Sequence, residues 1–359
     1  MTPSAVVVSV GARTPLGLSA VETGFAYRAA AVGMREAPLV EEEGGEGITM
    51  CFLPTIDPLL TGGERAVKLA LPALDEALRP VGPVLQRLRV KLVLCMDEQL
   101  GVADSEGAGT WYDSRSVPAT TLGARVLQRL SETAPEAQLE TSIRGPAGAG
   151  LALQGVYDAL ARGSVEAVIL GGVHTDYDPA RVRALAQAGR LFKPDNLDSM
   201  IPGEHAAFLV LMRPDLARTY KLTPLANLFA VGNAFDKMRP DNDEPAFEAI
   251  GLTTAIRKAG APLVDMKLRA GWLLTDLSFE KHRLFEHQSM VVRTQALWTE
   301  PQQWDPPALR MGALGAAAMP VEVTLAVEGW RRGWAPHSIA IACAGSDGGE
   351  RAALLLMRP

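Results

Sequence analysis

The chain has 359 residues, 48% hydrophobic and 21% charged, with a net charge of −6. At roughly 150 residues per domain this suits two domains, or one large domain of two halves. The acidic balance argues against nucleic acid or an anionic membrane as main partner, and no run of about 18 apolar residues marks a membrane span. Cys51, Cys95 and Cys343 are scattered, with no C-x-x-C pair. That pattern indicates neither a zinc site nor a disulfide framework, and a reduced, cytoplasmic setting is expected. Met1-Thr2-Pro3-Ser4 runs straight into a strand-like segment, so no secretory leader is expected.

Strand-like and helix-like stretches alternate along the chain. Ala5–Val10 is a β-branched run ended by Gly11 and the turn Thr14-Pro15-Leu16-Gly17, and Leu18–Ala31 reads as a helix. Ile48–Leu53 reads as a strand, Glu64–Leu78 as a helix and Arg89–Met96 as a strand. Thr121–Leu130 is helical, Ala137–Ile143 strand-like and Leu151–Ala161 helical. Val165–Leu170 is a fully apolar strand ended by Gly171-Gly172. Continuous apolar strands between helices predict a parallel sheet covered on both faces. The second half is less regular: strand Leu225–Val231, helix Glu244–Ala259, strand Gly271–Leu277, helix Leu314–Trp330, then strands Ser338–Cys343 and Ala352–Met357. The charged stretch Met212–Pro224 is the candidate junction, dividing the chain into residues 1–218 and 219–359. The acidic run from Glu41 to Gly47 reads as a solvated loop.

Four segments, in the right order, resemble the β-ketoacyl synthases of the thiolase-type condensing-enzyme fold. They are Val6–Gly17 with its T-P-L-G turn, and Gly148-Ala149-Gly150-Leu151 through Gly171-Gly172. The others are Gly203-Glu204-His205-Ala206-Ala207, and the closing Gly348-Gly349-Glu350-Arg351-Ala352. The resemblance implies a thiolase-like α/β fold of two βαβαβαββ halves in five layers, usually a homodimer pairing the strand near Ala137–Ile143 across its twofold axis. The residues agree in one respect. Small residues from Gly145 to Gly150 open a helix at a cost of up to about 1 kcal/mol per glycine relative to alanine, which tight central packing justifies.

The chemistry of that family is missing. Condensing enzymes place a cysteine thiolate at the N-terminus of this helix, where the helix end lowers the thiol pKa and its N–H groups hold an oxyanion. Gly145 falls at the cysteine position, between Arg144 and Pro146. Pro146 suits a first helical turn and removes an N–H near where an acyl oxygen would bind. The N-I-G-H-x-x-G-A-A segment corresponds to Arg310-Met311-Gly312-Ala313-Leu314-Gly315-Ala316-Ala317. This puts Ala313, or Gly312, at the first histidine and Ala308 at the preceding lysine. Where the second histidine is expected, Asp276 is the nearest polar residue, and Asp347 replaces the acyl-gate phenylalanine.

Other groups are weighed for the lost roles. His174 and His205 read as structural histidines rather than bases, since neither has a placed nucleophile. His282 and His287 lie in a charged stretch read as exposed, without a third metal ligand, and His337 reads as surface. Cys95 and Cys343 read as buried small hydrophobes rather than nucleophiles. Glu204 and Asp276 form a conceivable carboxylate pair but read as structural. Loops over the site look trimmed, two residues being missing between Lys193 and Gly203 relative to the family. The charges of Arg144, Arg310, Asp276 and Asp347 predict a closed or narrowed acyl tunnel with an Arg–Asp pair at its mouth.

The sequence therefore predicts a protein that acts by binding, as an adaptor, chaperone-like factor or assembly partner, with no cofactor and no metal. An acyl or pantetheine ligand is not expected. Such degenerate chains resemble bacterial proteins encoded near type VI secretion effectors. The alternatives are a chain-length-factor-like subunit paired with an active ketosynthase, or an acyltransferase with a changed nucleophile.

Overall fold

The computed structural model describes residues 2–40, 47–97, 122–237 and 248–359. In the first half, β1 (Ala5–Arg13), α1 (Ala20–Arg28), β2 (Met34–Val40), β3 (Gly47–Cys51), α2 (Gly62–Leu78), α3 (Gly82–Leu85) and β4 (Val90–Met96) come in turn. They are followed by α4 (Leu122–Ser131), β5 (Gln138–Ile143), α5 (Gly148–Ala161), β6 (Ala167–Thr175), α6 (Pro179–Gln187) and β7 (Glu204–Met212). α7 (Pro214–Thr219) leads into the second half. This holds β8 (Ala226–Phe235), α8 (Ile250–Met266), β9 (Ala270–Thr275), α9 (Lys281–Thr294) and β10 (Trp298–Asp305). α10 (Ala308–Met311), α11 (Ala318–Arg332), β11 (Ile339–Gly345) and β12 (Glu350–Met357) complete it.

The strand order β10-β9-β11-β12-β8-β1-β7-β6-β4-β5 makes one ten-stranded sheet whose two ends mirror each other. β4 lies parallel to β5 and β6, just as β9 lies parallel to β10 and β11. The halves meet where Ala5–Val7 of β1 pairs antiparallel with Ala226–Leu228 of β8. The helices then define five layers. α2 and α4 cover the first half of the sheet from outside, and α8 and α9 cover the second. α5 and α11 are sandwiched between the halves and touch strands of both. α11 is buried at every residue from Ala318 to Trp330, as a helix in a central layer must be. The two-half, five-layer expectation is met, with the two halves of sheet joined edge to edge.

Local signals explain several boundaries. Ser19 caps α1 by accepting the Glu22 N–H, and Asp178 caps α6 by accepting from Ala180 and Arg181 ahead of Pro179. β6 does not stop at Gly171-Gly172 but runs on to Thr175, carrying His174 into the interior. The expected central helix begins at Gly148, and Gly150 shows why small residues open it. A Cβ there would lie 2.4 Å from Ala352 Cβ and 2.7 Å from Met319 Sδ. β2, β10, α6 and α9 carry no sequence expectation of their own. The Glu41–Gly47 run and the starts of the helices expected from Thr121 and Glu244 fall largely outside the described residues. No helix among the described residues is long and apolar enough to cross a membrane.

Candidate functional site

The two central helices begin side by side. Gly145 has φ +56°, a left-handed conformation that glycine adopts without strain, and it opens the turn Gly145–Ala147 leading into α5. The turn Gly315–Ala317 leads into α11 in the same way. A helix start offers unpaired N–H groups, which is why a nucleophile and oxyanion belong there. Here both starts are occupied from within. The buried Ser346 hydroxyl accepts the Ala147 N–H at 3.0 Å and donates to the Arg144 carbonyl. A Cβ on Gly145 would meet Ser346 Oγ at 3.3 Å, so the serine covers the position where a thiol would stand. At α11, the Ala316 N–H donates to Asp97 Oδ1 at 2.6 Å.

Asp97 belongs to a buried chain of charges. His174 is bonded through Nδ1 to Asp97 (2.6 Å) and through Nε2 to Asp176 (2.9 Å). Carboxylates accept only, so both ring nitrogens carry hydrogen and the ring is an imidazolium. Burial alone would lower its pKa, but Asp176 and Asp97 outweigh burial and raise it to about 10. Arg181 and the Gly203 N–H complete the shell of Asp176. Burial works against its charge, yet His174 and Arg181 hold its carboxyl far below the usual range. His205 stacks on His174 with centroids 6.5 Å apart, and its Nε2–H donates to the Met311 carbonyl. Burial and the neighbouring imidazolium push His205 down to about 3, so it stays neutral. Glu204 is committed to Arg65, to the Leu53 N–H and to Thr175, all buried. It shares none of these partners with Asp276, so the two do not form a working carboxylate pair.

Gly312, the alternative to Ala313 for the expected first-histidine position, has no room for a side chain. Gly312 has φ +76°, and a Cβ on it would lie 2.6 Å from the Pro202 carbonyl and 2.9 Å from Cys51 Cβ. Ala313 is tied by its N–H to the Ile201 carbonyl. At the second half, Asp276 Oδ2 accepts the Gly345 N–H at 3.0 Å, while its Oδ1 is buried without a partner among the described residues. Burial raises its carboxyl against the opposing pull of Arg283 and His287.

Asp347 is ion-paired, but with other arginines than the sequence suggests. Asp347 binds Arg190 (2.6 Å) and Arg283 (3.0 Å), and Arg190 also holds Glu280 (2.7 Å). Partial burial opposes this charge, yet the two guanidinium groups hold the Asp347 carboxyl well below its ordinary range. Arg144 instead pairs with Glu350 at 3.1 Å. Arg310 lies over the Tyr27 ring and donates to the Tyr27 carbonyl. Neither touches Asp276 or Asp347, because each is drawn to a nearer acceptor on its own side. Arg190 follows α6 and Arg283 lies on α9, segments whose facing neither spacing nor motif reveals. His287 is a second correction. It is buried on α9, with Nδ1–H donating to the Arg283 carbonyl and Nε2 accepting from Thr275. Cys95 and Cys343 are buried, and burial raises their thiols, Cys95 to about 12. Neither is a ready nucleophile.

Between Ala149 and Leu153 of α5 and Met319 and Val323 of α11 there is a cavity of only about 10 Å³. That is roughly the room one water needs, far short of an acyl chain.

No protein-family model and no curated protein matches the sequence. Solved structures do match along its whole length. The ishigamide ketosynthase/chain length factor superposes with a TM-score of 0.79 at 18% identity, covering 100% of both chains. A β-ketoacyl synthase from Burkholderia phymatum STM815 gives 0.73 at 17%, again covering 100% of both. A type II polyketide acyl-carrier protein in complex with its ketosynthase gives 0.79 at 12% and the same coverage. The chain thus has the thiolase-like fold of the ketosynthases and chain length factors.

Proposed function

We propose that this chain is a ketosynthase-like protein that does not condense acyl chains and works by binding another protein. The single observation that carries this is the internal capping of both central helices. Ser346 takes the Ala147 N–H beside Gly145 and Asp97 takes the Ala316 N–H, so an incoming thioester meets no nucleophile at Gly145 and one donor fewer at each helix start. The test is incubation with acyl-CoA and acyl-carrier protein thioesters, followed by intact mass and assay of carbon dioxide release. Neither adduct nor decarboxylation is expected. A stoichiometric acyl adduct would overturn the reading.

A second reading is a chain-length-factor-like subunit paired with an active ketosynthase. The full-length similarity to a ketosynthase/chain length factor favours it, as does β5, an edge strand with most of its side chains partly or fully exposed. An edge strand presents unpaired N–H and C=O groups to a partner. The chain by itself then forms a homodimer through β5, within halves of residues 1–218 and 219–359. Light scattering reports the dimer, and Thr141→Pro, which disrupts the edge strand, makes it a monomer. A monomeric wild type at micromolar concentration contradicts the homodimer and leaves the edge free for a different chain. Co-expression with a ketosynthase from the same source then decides whether that chain is a condensing enzyme.

A further inference from the structure

Glu322 lies on α11, in the central layer, and is fully buried. Among the described residues neither carboxylate oxygen completes a hydrogen bond, although the Cys343 backbone N–H lies near enough to ease its charge slightly. The titratable groups that face it are Asp276 at the end of β9, the Cys343 thiol of β11 and the Tyr27 phenol of α1. Each can only become negative. The cations of this region act elsewhere: Arg283 binds Asp347 and Arg351 binds Glu286. Both arginines exert their field on Asp276, not on Glu322. An ionised carboxylate left dry and unpaired is far costlier than a neutral acid.

We propose that Glu322 is a proton switch in the closed cleft: protonated, it lets α11 pack against β9 and β11, and ionised, it forces that packing apart. Burial, reinforced by Asp276, holds its carboxyl well above the ordinary range. The sign follows. The unfolded chain releases this proton near the ordinary glutamate value of about 4.3, while the folded chain keeps it. The contribution to stability is therefore complete below that value and falls as pH rises toward the folded pKa.

The experiment compares wild type with Glu322→Gln, which keeps the shape and cannot ionise. Unfolding constants are measured by denaturant titration from about pH 5 to about pH 8. The ratio of wild-type to variant unfolding constant is expected to grow about tenfold per pH unit while the folded protein keeps the proton. Parallel profiles overturn the proposal. Infrared spectroscopy gives a second readout that does not depend on the variant's stability. Wild type at neutral pH should show a protonated carboxylic acid band, absent in Glu322→Gln and retained in Asp276→Asn. No such band in wild type, or its loss only in Asp276→Asn, rejects the assignment.

Discussion

At the first-half end of the cleft both nitrogens of His174 meet a carboxylate, Asp176 is further held by Arg181 and Gly203, and Asp97 caps α11. At the second-half end Asp276 Oδ1, Glu286 Oε2 and Arg283 Nη1 are buried without partners among the described residues. The two ends occupy mirrored places in the sheet: Asp97 follows β4 as Asp276 follows β9. The difference teaches that two mirrored ends of one cleft can be stabilised in two ways. One end is built as a charge network in which both nitrogens of His174 are paired and Asp97 caps α11, with the Nδ1 of the stacked, neutral His205 left over among the described residues. The other keeps buried acids: burial raises the Asp276 carboxyl, and Glu286 is paired with Arg351.

The largest expected effect comes from breaking the first-half end. Asp176→Ala leaves an imidazolium and a guanidinium without their shared carboxylate, and removing one partner of a buried pair costs about 3–5 kcal/mol. Denaturant titration checks this; a loss under about 1 kcal/mol would show that the network is not structural. Next in size is the Asp347 network. Asp347→Ala removes one acceptor from Arg190 and Arg283 but leaves Arg190 its Glu280. Asp347 is 37% exposed, so screening reduces the expected cost to about 1–2 kcal/mol, and salt should reduce it further. At the second-half end, Asp276→Asn should change stability by less than about 1 kcal/mol, since the amide still accepts the Gly345 N–H and no carboxylate is left to desolvate. A loss comparable to that of Asp176→Ala would erase the contrast between the ends.

pH separates the stacked histidines more finely. His174 has a folded pKa raised to about 10, so its contribution is complete below the unfolded value of about 6.5 and is lost as pH rises from there toward 10. His205 has a folded pKa lowered to about 3, so its contribution is complete above about 6.5 and is lost as pH falls toward 3. Histidine NMR titration should find His174 charged and His205 neutral at neutral pH. Two histidines titrating together near about 6.5 would contradict both environments.

The fold was legible because ordered short motifs and alternating apolar strands survive: the T-P-L-G turn, the small-residue helix start and the closing double glycine each lie at the expected structural place. The positions expected to lack catalytic side chains were read from the sequence alone, since Gly145 needs no side-chain geometry to be recognised as unable to carry an acyl group. What filled them was not. Ser346 is one residue from Asp347 in sequence, yet its role depends on a turn folding across to Arg144, some two hundred positions away, and no periodicity encodes that contact. The same holds for Arg190 and Arg283. His287 was misplaced because α9 carries charge on both faces, which hides its buried side from any helical pattern.

The central claim is that the cleft is closed and not merely disarmed. The direct test restores the missing thiol with Gly145→Cys and measures intact mass and condensation after incubation with acyl-CoA and a malonyl thioester. Ser346 still lies against the position and no histidine is restored, so the account predicts neither a stoichiometric acyl adduct nor condensation. Condensation by that single variant would contradict it.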